Sequence, residues 1–338
     1  MKLSIVIPLS ELFDLTGHLA EETNLSVSNI FEFAKSNEVF IEIVIVNWNV
    51  KNDFSFEKEL DFSTKPQNVD VKYIEISNEI HNQLPIAHKI PFYLGHAVNV
   101  GLRKVSNESV MTIKPGTFYI ASEWIIITNL IEDRKLDSSF ITLFSKNRLS
   151  LDFLSKSSKS STIYNITPDE LKNFICFSRT ENSVVDNKNM KVYECLENRV
   201  IDYKNKRIYS NIGNIVEIFK PFDSYLFAKH IAYSLNGLPE LSYYPYLFSN
   251  ISMPGWFLEV LFRENALKFL PKSEYVVMGN KLSFDERLLE NPKNDKELAL
   301  APKTNEIMID RIRREKNPVF FNDEEWGLAS KKLIVKAY

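Results

Sequence analysis

The side chains whose types and positions could carry chemistry are Asp223, Lys114, His81 and the asparagines Asn47, Asn49 and Asn99. A carboxylate is the usual general base, but an aspartate just ahead of a helical stretch is also a favoured N-cap, and both readings fit Asp223. Lys114 opens the turn Lys114-Pro115-Gly116, which follows the apolar run 110–113. In an open α/β sheet such a turn lies outside the carboxyl end of a strand, where ligands bind. Asn47 and Asn49 flank Trp48 at the end of another apolar run, so they are turn formers by type and equally placed for a ligand contact. Asn99 and Gly101 read first as a structural pair, an amide closing the local turn and a glycine permitting close packing. His81 is one of five histidines, and a lone histidine is more often a hydrogen-bonded structural group than a ligand. Glu240, after Gly-Leu-Pro, reads as a turn residue, Glu259 as a solvated helical acid, and Trp326-Gly327 as an anchor for the tail.

These residues need a scaffold, and the first 120 positions supply an alternating one. The β-branched run 3–8, the nearly continuous apolar run 40–46 and the stretch 69–76 have strand composition, and the second reads as buried on both faces. Helical spacing marks 25–36 and 92–105. Strands alternating with helices predict a mostly parallel, doubly wound sheet. Further on, 124–130 reads as helix, 140–144 as strand, 155–162 as a polar loop, and Thr167-Pro168-Asp169-Glu170 as a helix start. Strands are expected within 206–218. Helices are expected over 223–237, 256–270 and 306–316. The resulting division is 1–120 as a ligand-binding half, 121–205 as an inserted segment, 206–285 as a second half and 286–338 as a helical C-terminal extension.

The chain has 338 residues, 44% of them apolar and 12% aromatic, enough to bury a large core. Lys+Arg 41 against Asp+Glu 44 leaves a net charge of -3, so the overall balance does not point to nucleic acid or an anionic membrane. Cys176 and Cys195 are too few for a disulfide framework and match no zinc spacing. The opening MKLSIVIPLS runs straight into Glu11 and Asp14, as a first strand does and a signal peptide does not. No run reaches the roughly 18 apolar residues of a membrane span. A cytoplasmic protein is expected.

Five pieces in order carry a family resemblance: VIVNWN, EIHNQL, IPFYLGHAVNVGLRKV, NGLPEL and NDEEWGL. Together they resemble the GT-A glycosyltransferases, in particular the family 2-like enzymes. The resemblance implies a nucleotide-binding α/β domain that moves a sugar from a UDP- or GDP-linked donor to a glycan acceptor, as in polysaccharide biosynthesis. It implies a donor site lined by Asn47, Asn49, His81, Asn99, Lys114 and Gly116, with Asp223 as the base of an inverting transfer. The chain also departs from the pattern. Gly116 stands where the family carries a metal- and ribose-binding aspartate, Met253-Pro254-Gly255 replaces an acid ahead of Trp256, and YVVMGNK lacks a late histidine. The expectation is therefore no cofactor, with manganese only if the register at Gly116 slips, and Lys114 as the positive charge that offsets part of the diphosphate. The alternative expectation is a non-catalytic relative that binds or scaffolds another transferase.

Overall fold

The computed structural model describes residues 1–11, 18–50, 56–84, 87, 92–132, 141–149, 164–165, 175–178, 193–196, 199–202, 207–209, 225–234, 236–237, 240, 267–278 and 322–338. The first half alternates as the hydrophobic pattern requires. Strand β1 (Lys2–Leu9) leads to α1 (Leu19–Asn37), β2 (Phe40–Val50) and β3 (Val69–Ser77). A short α2 (Asn78–His81), then α3 (Leu94–Lys104), β4 (Ser109–Thr112), β5 (Thr117–Phe118) and α4 (Ala121–Glu132) follow. Beyond these come β6 (Ile141–Leu149), β7 (Ile175–Ser178), β8 (Tyr193–Leu196), β9 (Arg199–Asp202), β10 (Arg207–Tyr209) and β11 (Tyr225–Ala228). The described elements end with α5 (Lys229–Ser234), β12 (Leu267–Met278), a 3-10 turn at Trp326–Leu328 and β13 (Ile334–Ala337).

The main sheet has the order β13-β3-β2-β1-β4-β11-β6-β12-β5. Its centre, β3-β2-β1-β4, is wholly parallel, and Ile5 pairs with Ile43 and Met111 on either side. Seven of the eight residues of β1 are buried, as are the nine inner residues of β2, because helices cover both faces. Strands β11 and β13 join antiparallel, to β4 and β3 respectively. The fold is thus mixed α/β around a parallel centre, as the alternation predicted. Among the described residues no helix is long and apolar enough to cross a membrane.

Three expectations need correction. Residues 225–228, expected as helix, form β11, since β4 offers an open edge on which Tyr-Leu-Phe-Ala pairs; the helix starts only at Lys229. Residues 267–270, also expected as helix, begin β12. Pro271 cannot continue a helix, and the register of β12 on β6 breaks between Leu270 and Glu274 to pass it. The segment 121–205 is not only an insertion, because β6 lies inside the main sheet between β11 and β12. The described part of the tail, 322–338, holds a 3-10 turn and an edge strand. The loop at 155–162, the helix start at 167–170 and the helix at 306–316 lie outside the described residues.

Candidate functional site

The strand order fixes where a ligand can enter. From β1 the chain proceeds through β2 to β3 on one side and then returns to place β4 on the other, so the connections leave the carboxyl ends of β1 and β4 in opposite directions. This switch point is where open α/β sheets form their crevice.

On the β4 side, Lys114-Pro115-Gly116-Thr117 closes as a turn with the Thr117 N–H donating to the Lys114 carbonyl over 3.1 Å. Proline at the second position and Gly116 at φ 76 are the marks of a type II turn. The Gly116 N–H donates to the Glu22 carbonyl in α1 over 2.9 Å, tying the turn to the first helix. Gly116 therefore answers a backbone demand: an aspartate here would have to adopt the left-handed region. Lys114 is half-buried in this turn.

Asn47 and Asn49 stand at the neighbouring end of β2. Asn47 is fully buried and donates to the Tyr73 hydroxyl over 2.8 Å and to Glu11 Oε1 over 2.5 Å. Among the described residues its side-chain oxygen Oδ1 has no hydrogen-bond partner. Burial pushes the Glu11 carboxyl up, against the lowering effect of the Asn47 amide. Asn49 takes φ 64, and the β2–β3 register shifts between Trp48 and Val50, so its turn-forming character is realised as a β-bulge. It accepts from Asn78 Nδ2 over 2.7 Å. Ser10 knits the ends of β1 and β2 by donating to the Trp48 carbonyl over 2.8 Å.

Two other expected site residues lie elsewhere, within the packing of α3. Trp48 Nε1, which can only donate, reaches His81 Nδ1 over 2.9 Å, so His81 Nε2 carries the proton and donates to the Ala87 carbonyl over 3.2 Å. Burial holds this imidazole below its usual range, and both its nitrogens are committed to the protein. Asn99 is fully buried and donates to Glu240 Oε1 over 2.9 Å. Asp223 lies outside the described residues.

Glu240 was read from sequence as a turn residue, yet it is the centre of a buried junction. Its Oε1 also accepts from the Gly327 N–H over 2.6 Å, and its Oε2 lies 3.5 Å from His96 Nε2. Desolvation raises this carboxyl to about 7, opposed by the Gly327 and Asn99 donors, and desolvation lowers His96 to about 3. Trp48 and Tyr93 make ring contacts with His96, at 5.8 Å and 5.4 Å between centroids, and His81 in turn contacts both of those rings. Each of the five sequence pieces that carried the resemblance thus contributes to one connected interior network: Trp48, His81, His96 with Asn99, Glu240, and Trp326 with Gly327. The only sequence signal for Glu240 was its place within NGLPEL.

Among the described residues no three His, Cys, Asp or Glu side chains group as a metal site. No protein family and no curated protein matches the chain. Among solved structures, S. aureus TarS 1-349 is 13% identical with a TM-score of 0.39, covering 92% of this chain and 71% of that one. The same fragment in complex with UDP-GlcNAc is 12% identical with a TM-score of 0.39, covering 92% and 70%. The galactosyltransferase LgtC, in complex with donor and acceptor sugar analogs, is 12% identical with a TM-score of 0.27, covering 42% and 46%. Likenesses this slight carry neither an activity nor a residue role to this chain.

Proposed function

We propose that the chain is a glycosyltransferase-like protein of the GT-A kind, binding a UDP- or GDP-linked sugar at the carboxyl edge of its parallel sheet and serving a glycan acceptor. The observation that carries this reading is the switch point between β1 and β4, with the type II turn 114–117 following β4 and Asn47 and Asn49 at the neighbouring end of β2. In it the Lys114 ammonium offsets part of the diphosphate charge, and the buried amides of Asn47 and Asn49 hold the end of β2 in place beside the donor rather than touching it. Asp223 is the candidate base for the acceptor hydroxyl. A transfer that uses no metal fits the glycine at position 116, where the turn geometry disfavours a carboxylate.

The same glycine supports a second reading. A chain that keeps the crevice but has lost turnover would act as a binding or scaffolding subunit of another transferase. Calorimetry with UDP- and GDP-sugars, with and without manganese, tests the pair. Metal-indifferent binding together with donor hydrolysis that Asp223→Asn abolishes supports the enzyme. Binding without hydrolysis supports the binding subunit, and no nucleotide binding under any condition removes the enzyme and leaves only the scaffolding role.

A further inference from the structure

The sequence holds one Asn-Gly step, Asn236-Gly237. The two residues close α5 as a Schellman motif. The Asn236 N–H donates to the Tyr233 carbonyl over 3.2 Å and the Gly237 N–H to the Ala232 carbonyl over 2.7 Å. Asn236 takes the left-handed conformation that ends the helix, at φ 54, which asparagine adopts more readily than most side chains. Gly237 follows at φ 78, and a Cβ on it would lie 2.4 Å from Trp326 Cε3 and 2.8 Å from Asn99 Oδ1. The fold therefore demands this dipeptide, and the dipeptide is chemically labile. Asparagine is prone to lose its amide, and a following glycine leaves the next backbone nitrogen sterically open to attack the side-chain carbonyl.

The docked strap, residues 322–328, holds both reacting groups out of that reaction. Asn236 Nδ2, the leaving group, donates to the Asn322 carbonyl over 3.0 Å, and Asn322 Nδ2 returns a bond to the Asn236 carbonyl over 2.7 Å. The attacking nitrogen of Gly237 is committed to Ala232, with Trp326 packed against the glycine. Trp326 is fixed in turn by Tyr233, at 5.0 Å between centroids, and by the Arg103 guanidinium 4.2 Å from its ring centroid. Arg103 also donates to the Glu324 carbonyl over 2.6 Å and to the Trp326 carbonyl.

We propose that Asn236-Gly237 is a latent modification site controlled by the strap: with 322–328 docked Asn236 persists, and opening exposes it to a deamidation that keeps the strap from returning. In the open form the deprotonated Gly237 nitrogen adds to Asn236 Cγ, the Cγ–Nδ2 bond breaks, and Nδ2 leaves as ammonia. Water then opens the five-membered imide at either carbonyl, giving aspartate or isoaspartate. The balance needs water alone. Aspartate has no N–H for the Asn322 carbonyl and sets a negative charge against it. Isoaspartate adds a methylene to the backbone and moves Gly237 out of its fit against Trp326. The modified fraction is thus an irreversible record of the time the strap has spent open.

Mass spectrometry of the peptide containing residue 236, with aspartate and isoaspartate separated by chromatography, follows the reaction in the full chain held in mildly alkaline buffer. The native chain is expected to react at least about a hundredfold more slowly than the chain in guanidinium chloride, since only the open fraction reacts. Arg103→Ala removes two hydrogen bonds and the cation–π contact, and should raise the native rate by about tenfold or more. Asn322→Ala should act in the same direction and serves if Arg103→Ala does not fold. Phe33→Leu, which disturbs the Phe33 stack on Trp124 and not the strap, should leave the rate within about twofold. Asn236→Asp should lose hydrogen-exchange protection at 326–328 while the Tyr119 amide, held by Asn29 Oδ1 at 3.0 Å, keeps it. Native and denatured chains that react alike, strap variants no faster than wild type, or a Phe33→Leu effect as large as that of Arg103→Ala each overturn the proposal. Full protection of 326–328 in Asn236→Asp overturns it as well.

Discussion

Asn99 donates its side-chain amide to Glu240 over 2.9 Å, joining the middle of α3 to a residue 141 positions later. Both groups are buried, so the bond satisfies an acid largely withdrawn from water. Asn99→Ala leaves a void and removes one of the two donors on Oε1. The expected loss is about 2–4 kcal/mol in urea unfolding. A loss below about 0.5 kcal/mol would mean that the amide does not support the acid.

Gly101 marks the closest approach of α3 to the sheet. A Cβ added there would lie 2.4 Å from Val6 Cγ1 and 3.2 Å from Cγ2. Gly101→Ala is expected to destabilise by roughly 1–3 kcal/mol despite alanine's better helix propensity. In the double variant with Val6→Ala the penalty should shrink, because the clashing methyls are gone. Strictly additive effects would place the helix farther from β1 than the structure does.

Glu240 and His96 tilt stability in opposite directions with pH. Burial raises the carboxyl from 4.5 to about 7, so its contribution is full below pH 4.5 and is lost as pH rises to 7. Burial lowers the imidazole from 6.5 to about 3, so its contribution is full above pH 6.5 and is lost as pH falls toward 3. Between 4.5 and 6.5 the two slopes cancel. Glu240→Gln removes one of them, so its stability relative to wild type should improve by about 2–3 kcal/mol from pH 4.5 to 7.5. Paired urea titrations at the two pH values check this, and a difference that does not change with pH refutes it.

Lys114 tests the crevice. Lys114→Ala should weaken binding of a UDP- or GDP-sugar by about tenfold at low salt, with a smaller effect at high salt, because the contact is one ammonium against a diphosphate. Calorimetry at two ionic strengths measures it. Unchanged affinity would move the phosphate site away from the 114–117 turn.

The parallel centre was legible because β1 and β2 are largely apolar, β-branched runs, β3 alternates apolar with polar residues, and helical spacing marks 25–36 and 92–105, signals that need no tertiary context. Strands β11 and β12 were not, since Tyr225–Ala228 and Leu267–Met278 become strands only by pairing with edges built elsewhere in the chain. The Lys114-Pro115-Gly116 turn was readable from proline and glycine alone. Glu240 was not, because nothing local distinguishes a turn glutamate from one that meets a helix and a tail 87 residues on. His81 and Asn99, which the resemblance implies for the donor site, make their hydrogen bonds to Trp48, the Ala87 carbonyl and Glu240 inside the fold.

The tail also closes the sheet, and removing it gives the last prediction. Strand β13 pairs with β3 through Ile334 to Glu75, and the Tyr338 N–H donates to the Val71 carbonyl over 3.0 Å. Lys336 bridges Glu57 and Glu75, and the Phe62 and Tyr338 rings lie 4.9 Å apart. A chain ending at Ser330 keeps the strap but bares the edge of β3, whose unpaired backbone groups invite another copy. It should unfold at lower urea and elute partly as dimers or larger species in size exclusion. Lys336→Met, which leaves the backbone ladder intact, should cost no more than about 1 kcal/mol and stay unassociated, since the lysine is more than a third exposed. Equal stability of the shortened and full chains would show that β13 contributes nothing to the edge it covers, whereas a large effect of Lys336→Met would shift the weight from the ladder to the ion pairs.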